Sequence, residues 1–176
     1  MAIGETARRR FQAVALPNLD AAFSLAKAMT GSAADAEDIV QEACLRALAA
    51  LESLEVQHPR AWFLTITRNC ALSFLARRRP ELLHDDISDL EREGALEACD
   101  LAPDAETGLI AAGEAARLRA CFAKLPLALR ETLTLRVLQG LAYRDIAGAL
   151  QAPLGTVMSR LARARAALAV CMGGMA

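Results

Sequence analysis

Residues 143–165 read YRDIAGALQAPLGTVMSRLARAR, and this stretch decides the fold. Apolar side chains recur at helical spacing from Tyr143 to Leu150, which predicts a short helix. A tight turn is expected at residues 153–155, and Thr156 is expected to cap a longer final helix. Two such helices with basic and small residues facing outward are typical of a helix-turn-helix, whose second helix fits the major groove of DNA. A plain helical hairpin with a solvated basic face is the alternative.

The composition of the whole chain also indicates helices. Its 176 residues include 39 Ala and 28 Leu but only 12 Val and Ile together. Because Ala and Leu favour helices while β-branched residues favour strands, we predict an all-α protein. Apolar residues at helical spacing over 11–80 and 109–172 predict two small helical domains. The segment 81–108 lacks sustained apolar periodicity and is expected to be a linker.

Capping and helix-breaking residues predict where individual helices begin. Ser32 resembles an N-terminal cap, and Pro59 suits the first turn of a helix. In the C-terminal module a helix should begin at Pro126 and place Val137 or Leu138 on its apolar side.

Charge is segregated along the chain. The formal net charge of −1, taken alone, argues against a nucleic-acid partner. Residues 1–80 carry 10 basic and 8 acidic residues, a net +2, whereas residues 81–116 carry 1 and 11, a net −10. Residues 117–176 carry 9 and 2, a net +7. The acidic segment is either a solvated spacer or a strand that occupies a basic channel of a partner.

Several function classes are disfavoured by composition. No uncharged apolar run reaches the roughly 18–20 residues that span a bilayer, and no secretory signal is evident, so we expect a soluble, intracellular protein. Five cysteines without a CxxC spacing argue against a disulfide framework or a zinc site. Cys44, Cys70 and Cys121 fall on apolar helix faces, where buried thiols are expected. We expect no metal, cofactor or catalytic residue.

Three stretches resemble bacterial RNA polymerase sigma factors, specifically the extracytoplasmic-function (ECF) group of the sigma-70 family. DAEDIVQEA at residues 35–43 is similar to region 2.2, and PRAWFLTITRN at residues 59–69 is similar to regions 2.3 and 2.4. LP and RE between residues 125 and 131, followed by YRDIA and PLGTVMSRLARAR, are similar to region 4. Their order matches the family, with residues 11–80 as region 2 and 109–172 as region 4.

The resemblance implies a factor that binds core RNA polymerase, directs it to particular promoters and helps to melt them. Its expected partners are the β′ clamp and β flap of the polymerase, promoter DNA and an inhibitory anti-sigma factor. The implied location is the bacterial cytoplasm, without direct membrane insertion, although an anti-sigma factor could hold the protein at the membrane. Catalysis would belong to the polymerase.

The resemblance also assigns residues to three kinds of contact. Core polymerase contacts are expected at Asp38, Gln41 and Glu42. Minus-ten DNA contacts are expected at Leu54, Trp62, Arg68, Asn69, Arg77 and Arg78. Minus-thirty-five DNA contacts are expected at Thr156, Met158, Ser159, Arg160 and Arg163.

Some of these assignments have ordinary structural alternatives. Trp62 fits core packing as well as a base contact, and Arg77 and Arg78 would also complement the dipole at a helix C-terminus. Met158 stands where the family commonly has a basic residue, so fewer direct minus-thirty-five contacts are expected.

Two other functions account for less of the sequence than a sigma factor does. An autonomous helix-turn-helix repressor or activator would leave residues 35–43 and 59–69 unexplained. A thiol-based enzyme or redox sensor would need a base or second ligand near a cysteine, and the sequence shows none nearby.

Overall fold

A computed structural model describes residues 5–83 and 110–173, so the predicted linker 81–108 lies almost entirely outside the described residues. The first range contains helices α1 to α4, at Glu5–Val14, Leu19–Thr30, Ala33–Ala50 and Pro59–Arg78. The second contains α5 to α8, at Ile110–Ala123, Leu127–Leu133, Tyr143–Leu150 and Leu154–Gly173. Short 3-10 turns lie at Leu16–Asn18 and Pro80–Leu83. No strand occurs in these two ranges, and the all-α prediction is confirmed.

The N-terminal module is built from α2, α3 and α4, with α1 packed against their ends. Gly31 ends α2 in a left-handed conformation, with φ of 74°, and its N–H donates to the carbonyl of Lys27. The Ser32 hydroxyl accepts a hydrogen bond from the Asp35 N–H at 3.3 Å, which confirms the predicted cap of α3. Pro59 occupies the first position of α4, as predicted.

The C-terminal module departs from the prediction after Leu133. A π-helical turn at Thr134–Leu138 continues α6 and changes which side chains face inward. Val137 and Leu138 are therefore 61% and 60% exposed, whereas Leu135 is fully buried. The prediction that Val137 or Leu138 lies on the apolar side is wrong.

The helix-turn-helix is present, but its turn lies earlier than predicted. Gln151 takes a left-handed conformation, with φ of 52°, and the chain enters α8 at Leu154. The Pro153 carbonyl accepts the Val157 N–H at 3.2 Å, so Thr156 lies inside the helix and the prediction that it caps α8 is wrong.

A disulfide joins Cys121 in α5 to Cys171 near the end of α8, across 50 residues of sequence. The expectation that disulfides are absent is therefore wrong, because helix packing brings together two cysteines that are distant in sequence. Cys121 is buried as predicted, but it is bonded. Cys44 and Cys70 are free thiols, half-buried and buried respectively.

The two modules pack against each other. Helix α2 contacts α6 and the π-helical turn, while α4 contacts α7. Arg60 of α4 donates to the backbone oxygen of Gln139 at 3.2 Å and to its side-chain oxygen at 2.9 Å. Arg130 of α6 donates to the Met29 carbonyl at 3.2 Å. Apolar residues of both modules belong to one buried cluster, so the structure shows a closed arrangement.

Candidate protein and nucleic-acid interfaces

The predicted polymerase-binding residues lie on α3. Asp38 and Gln41 are exposed and Glu42 is half-exposed, with Arg46 one turn later pairing with Glu42 at 2.7 Å. The large apolar side chain of Leu45 is also exposed beside them. An acidic helix face with an apolar residue at its edge can bind a basic surface that carries an apolar contact.

A cavity of about 410 Å³ separates this face of α3 from α4. Its lining combines carboxylates of α3 with arginines of α4, and comprises Asp38, Ile39, Glu42, Cys70, Phe74, Arg77 and Arg78. The Arg78 guanidinium lies 4.9 Å from the centre of the Phe74 ring, and Arg77 donates to the Ser73 carbonyl at 3.1 Å. The structure thus places Arg77 and Arg78, predicted to contact DNA, beside Asp38 and Glu42, which are predicted to contact polymerase.

Burial raises the pKa of the Cys70 thiol in this cavity, while the positive charge of Arg46 opposes part of that rise. Burial also raises the pKa of Cys44. Both thiols are therefore protonated near neutral pH and are poor nucleophiles.

Leu54 and Trp62 line a second cavity, of about 340 Å³, whose opposite side is formed by Arg144 and Asp145 of α7. Trp62 is half-buried and packs against the core, so it combines core packing with an accessible edge. Arg10 of α1 donates to the carbonyl oxygens of Leu51 and Leu54, at 3.3 and 3.5 Å. Sequence reasoning missed Arg10 because it lies 41 residues before the loop that it holds.

Arg68 forms an ion pair with an acidic residue of the other module. Its Nε lies 2.8 Å from one carboxylate oxygen of Glu131, and its Nη2 lies 3.0 Å from the other. The two side chains are 13% and 4% exposed. A bidentate pair of this kind, largely removed from water, is strongly directional. The neighbouring Asn69 remains exposed.

The same carboxylate also faces the helix-turn-helix. Arg160 Nη1 of α8 lies 3.9 Å from Glu131, and its side chain is 16% exposed. The three charged residues line an interdomain cavity of about 470 Å³, which Thr156 also borders. The sequence analysis assigned no role of its own to Glu131. A single carboxylate within the apolar run of α6 could have indicated a buried, paired charge.

The remaining predicted minus-thirty-five residues line the other sides of α8. Met158 and Ser159 are exposed, and the Ser159 hydroxyl donates to the Thr156 carbonyl at 3.0 Å. Arg163 is half-buried. Val157, Leu161 and Ala164 are buried on the inner side, as the helical spacing predicts.

An apolar groove of about 380 Å³ runs across the outer side of the C-terminal module. Its walls come from α5, the end of α6, the π-helical turn and α8, and comprise Leu118, Arg119, Phe122, Leu133, Val137, Leu138, Arg165 and Leu168. The floor and walls are mainly aliphatic, while two arginines flank them. Such a groove suits an apolar helix that carries acidic residues.

Residues 5–83 and 110–173 contain neither a membrane-spanning helix nor a cluster of metal ligands. Among their helices, none is long and apolar enough to cross a membrane. Nor do these ranges bring three potential metal ligands together.

Comparisons with known proteins agree with this geometry. The family described as Sigma-70 region 2 matches residues 15–81, and the family described as Sigma-70, region 4 matches residues 115–168. The ECF RNA polymerase sigma factor EcfG of Rhodopseudomonas palustris is 34% identical over 159 residues, covering 90% of this chain and 81% of that protein. The RNA polymerase sigma-H factor of Pseudomonas aeruginosa is 34% identical over 142 residues, covering 77% and 72%.

Among solved structures, the sigma factor RpoE of Bartonella quintana, crystallised with the anti-sigma factor NepR, is similar with a TM-score of 0.70. The identity is 26%, and the match covers 96% of this chain and 99% of the other. Two helical modules with these matches define a transcription initiation factor rather than an enzyme. The chain belongs to the ECF group of the sigma-70 family of RNA polymerase sigma factors.

Proposed function

We propose that this sigma factor binds core RNA polymerase through the α3 face and the apolar groove, and promoter DNA through α4 and α8. The observation that carries the proposal is the matched pair of sigma regions, each presenting a surface of suitable chemistry. On α3, Asp38, Gln41 and Glu42 would meet the β′ clamp. Their exposure and negative charge support a basic partner surface.

The groove would receive the β flap. Val137 and Leu138 expose most of their apolar surface there, and burying them against an apolar segment would be favourable by about 25 cal/mol for each Å² removed from water. Arg119 and Arg165 at the rim would favour acidic residues beside that segment.

The promoter-binding set would act only after the modules separate. In the closed arrangement Arg68 and Arg160 face Glu131, and α7 forms one side of the cavity of Leu54 and Trp62. Phosphates or bases cannot use the guanidinium groups while that carboxylate holds them. Separation would free Arg68 to join the already exposed Asn69 at the minus-ten element, with Trp62. It would likewise free Arg160 to join the exposed Ser159 at the minus-thirty-five element, with Arg163.

We further propose that an anti-sigma factor stabilises a related closed arrangement. The support is the solved sigma factor bound to the anti-sigma factor NepR, which matches 96% of this chain in a single superposition. An inhibitor that binds both modules at once would keep the DNA-contact residues covered.

Co-elution with core RNA polymerase tests the proposal. Asp38→Lys reverses one charge on the α3 face and should abolish co-elution and promoter-specific run-off transcription. Glu5→Lys, on the exposed surface of α1, is the matched control and should change neither. Specific promoter binding by the free protein with no co-elution would overturn the proposal and favour an autonomous helix-turn-helix regulator.

A further inference from the structure

Two cysteines join the ends of two helices in the C-terminal module. Cys121 lies in the last turn of α5 and Cys171 lies in the last turn of α8, with Cα atoms 5.8 Å apart. We propose that Cys121 and Cys171 form a peroxide-responsive thiol pair, whose disulfide holds the α5 wall of the apolar groove in place.

Arg130 of α6 donates to the Ala123 carbonyl at 2.8 Å and ties the end of α5 to α6, but few other interactions join the end of α5 to the end of α8. Of the described side chains of α5, residues 113–123, Cys121 alone is buried, while Phe122 is half-buried against the core. The buried residues of α8 all precede residue 165. Arg117 donates to the Met172 carbonyl at 2.9 Å, but this hydrogen bond is exposed. Because little apolar area is removed from water here, the covalent bond is a large part of what fixes the two helix ends together.

The groove depends on that fixation. Helix α5 supplies Leu118, Arg119 and Phe122 to one wall, and α8 supplies Arg165 and Leu168. Reduction of the disulfide would let the α5 wall move relative to the α8 wall, while the wall formed by the π-helical turn stays attached to α6. The oxidised form therefore presents a complete groove, and the reduced form presents an incomplete one.

The difference in exposure between the two cysteines suggests the order of the reaction. Cys171 is half-buried whereas Cys121 is 5% exposed, so the oxidant meets Cys171 first. The Cys171 thiolate attacks one oxygen of hydrogen peroxide, the O–O bond breaks, and a sulfenic acid and hydroxide form. The Cys121 thiolate then attacks the sulfenic sulfur, the S–S bond forms, and a second hydroxide leaves. Both hydroxides take up the thiol protons, so two thiols and one peroxide yield one disulfide and two waters.

Selectivity follows from the surroundings of the other described thiols. A disulfide needs a second thiol within bonding distance, and Cys121 and Cys171, with Cα atoms 5.8 Å apart, supply one to each other, unlike Cys44 and Cys70. Neither has a second cysteine bonded to it.

Mass spectrometry of the full chain tests the pair itself. After reduction and exposure to hydrogen peroxide, the peptides that contain residues 121 and 171 should become linked, with a loss of two hydrogens. In Cys121→Ser, dimedone should trap a sulfenic acid at Cys171, whereas Cys171→Ser should leave Cys121 largely unreacted. Cys70→Ser is the control and should not affect the link. If both thiols remain reduced at a peroxide concentration that oxidises free cysteine, the inference is overturned.

Hydrogen exchange tests the structural consequence. Reduction should accelerate amide exchange at least tenfold in α5 and in the last turns of α8, and leave α2 to α4 unchanged. Equal exchange in the oxidised and reduced proteins would overturn the claim that the disulfide fixes the wall. Both measurements are independent of the proposed function. The effect of reduction on core polymerase affinity rests on that proposal, so an unchanged affinity alongside altered exchange would overturn only the assignment of the groove to the β flap.

Discussion

Replacing Glu131 with glutamine should open the closed arrangement. Glu131→Gln keeps the size of the side chain but removes the negative charge that faces Arg68 and Arg160. Breaking a buried ion pair by neutralising one partner typically costs about 3–5 kcal/mol, because the remaining charge is left without compensation. Here the modules can separate and return Arg68 to water. The lost free energy should therefore shift the equilibrium from the closed to the open arrangement, rather than unfold either module.

A cost of about 3 kcal/mol changes an equilibrium between two states by roughly 100-fold. The radius of gyration from small-angle X-ray scattering should increase in Glu131→Gln, and affinity for a minus-thirty-five duplex should rise at fixed salt. Glu5→Gln removes a pair whose side chains are 78% exposed, and it should have no measurable effect.

Two further variants distinguish opening of the contact between the modules from a local effect of the Glu131 charge on α8. Gln139→Ala removes the side-chain contact with Arg60 at 2.9 Å, leaves the backbone contact and does not touch Glu131. It should increase the radius of gyration in the same direction, by less than Glu131→Gln does. Arg68→Gln combined with Glu131→Gln removes both charges and should cost less than Glu131→Gln alone. Unchanged scattering, stability and DNA affinity in Glu131→Gln would refute the reasoning.

Three other predictions concern stability and binding. Replacing both Cys121 and Cys171 with serine removes a cross-link that closes about 50 residues, and guanidinium denaturation should show a loss of about 4 kcal/mol relative to the oxidised protein. Leu138→Asp should weaken core polymerase binding at least tenfold without lowering Tm, whereas Val170→Asp, 73% exposed and outside the groove, should leave binding unchanged. Ser32→Ala removes the cap of α3 and should lower the free energy of unfolding by about 1 kcal/mol, as measured by urea denaturation.

Local signals predicted the local features of the fold. Gly31, Ser32 and Pro59 act on residues within one helical turn of themselves, so their effects can be read directly from the sequence. Thr156 was misplaced as a cap because the chain becomes helical immediately after Pro153, and no single residue type marks that start.

The features that depend on tertiary contacts could not be predicted in this way. The π-helical turn after Leu133 exposes Val137 and Leu138, although a regular helix would have placed one of them inward. Glu131 is buried because Arg68, from the other module, supplies the compensating charge 63 residues earlier in the chain. Cys121 and Cys171 meet only because α5 packs against α8.

If α4 and α8 bind promoter DNA as proposed, the position of Glu131 between Arg68 and Arg160 links the two surfaces thermodynamically. Any ligand that binds only the separated modules must overcome the same closing free energy, whichever surface it uses. A duplex that binds α8 therefore lowers the cost of single-strand binding at α4, and the reciprocal effect has the same factor. An inhibitor that binds and stabilises the closed form would weaken both DNA contacts together, without touching the residues of either one.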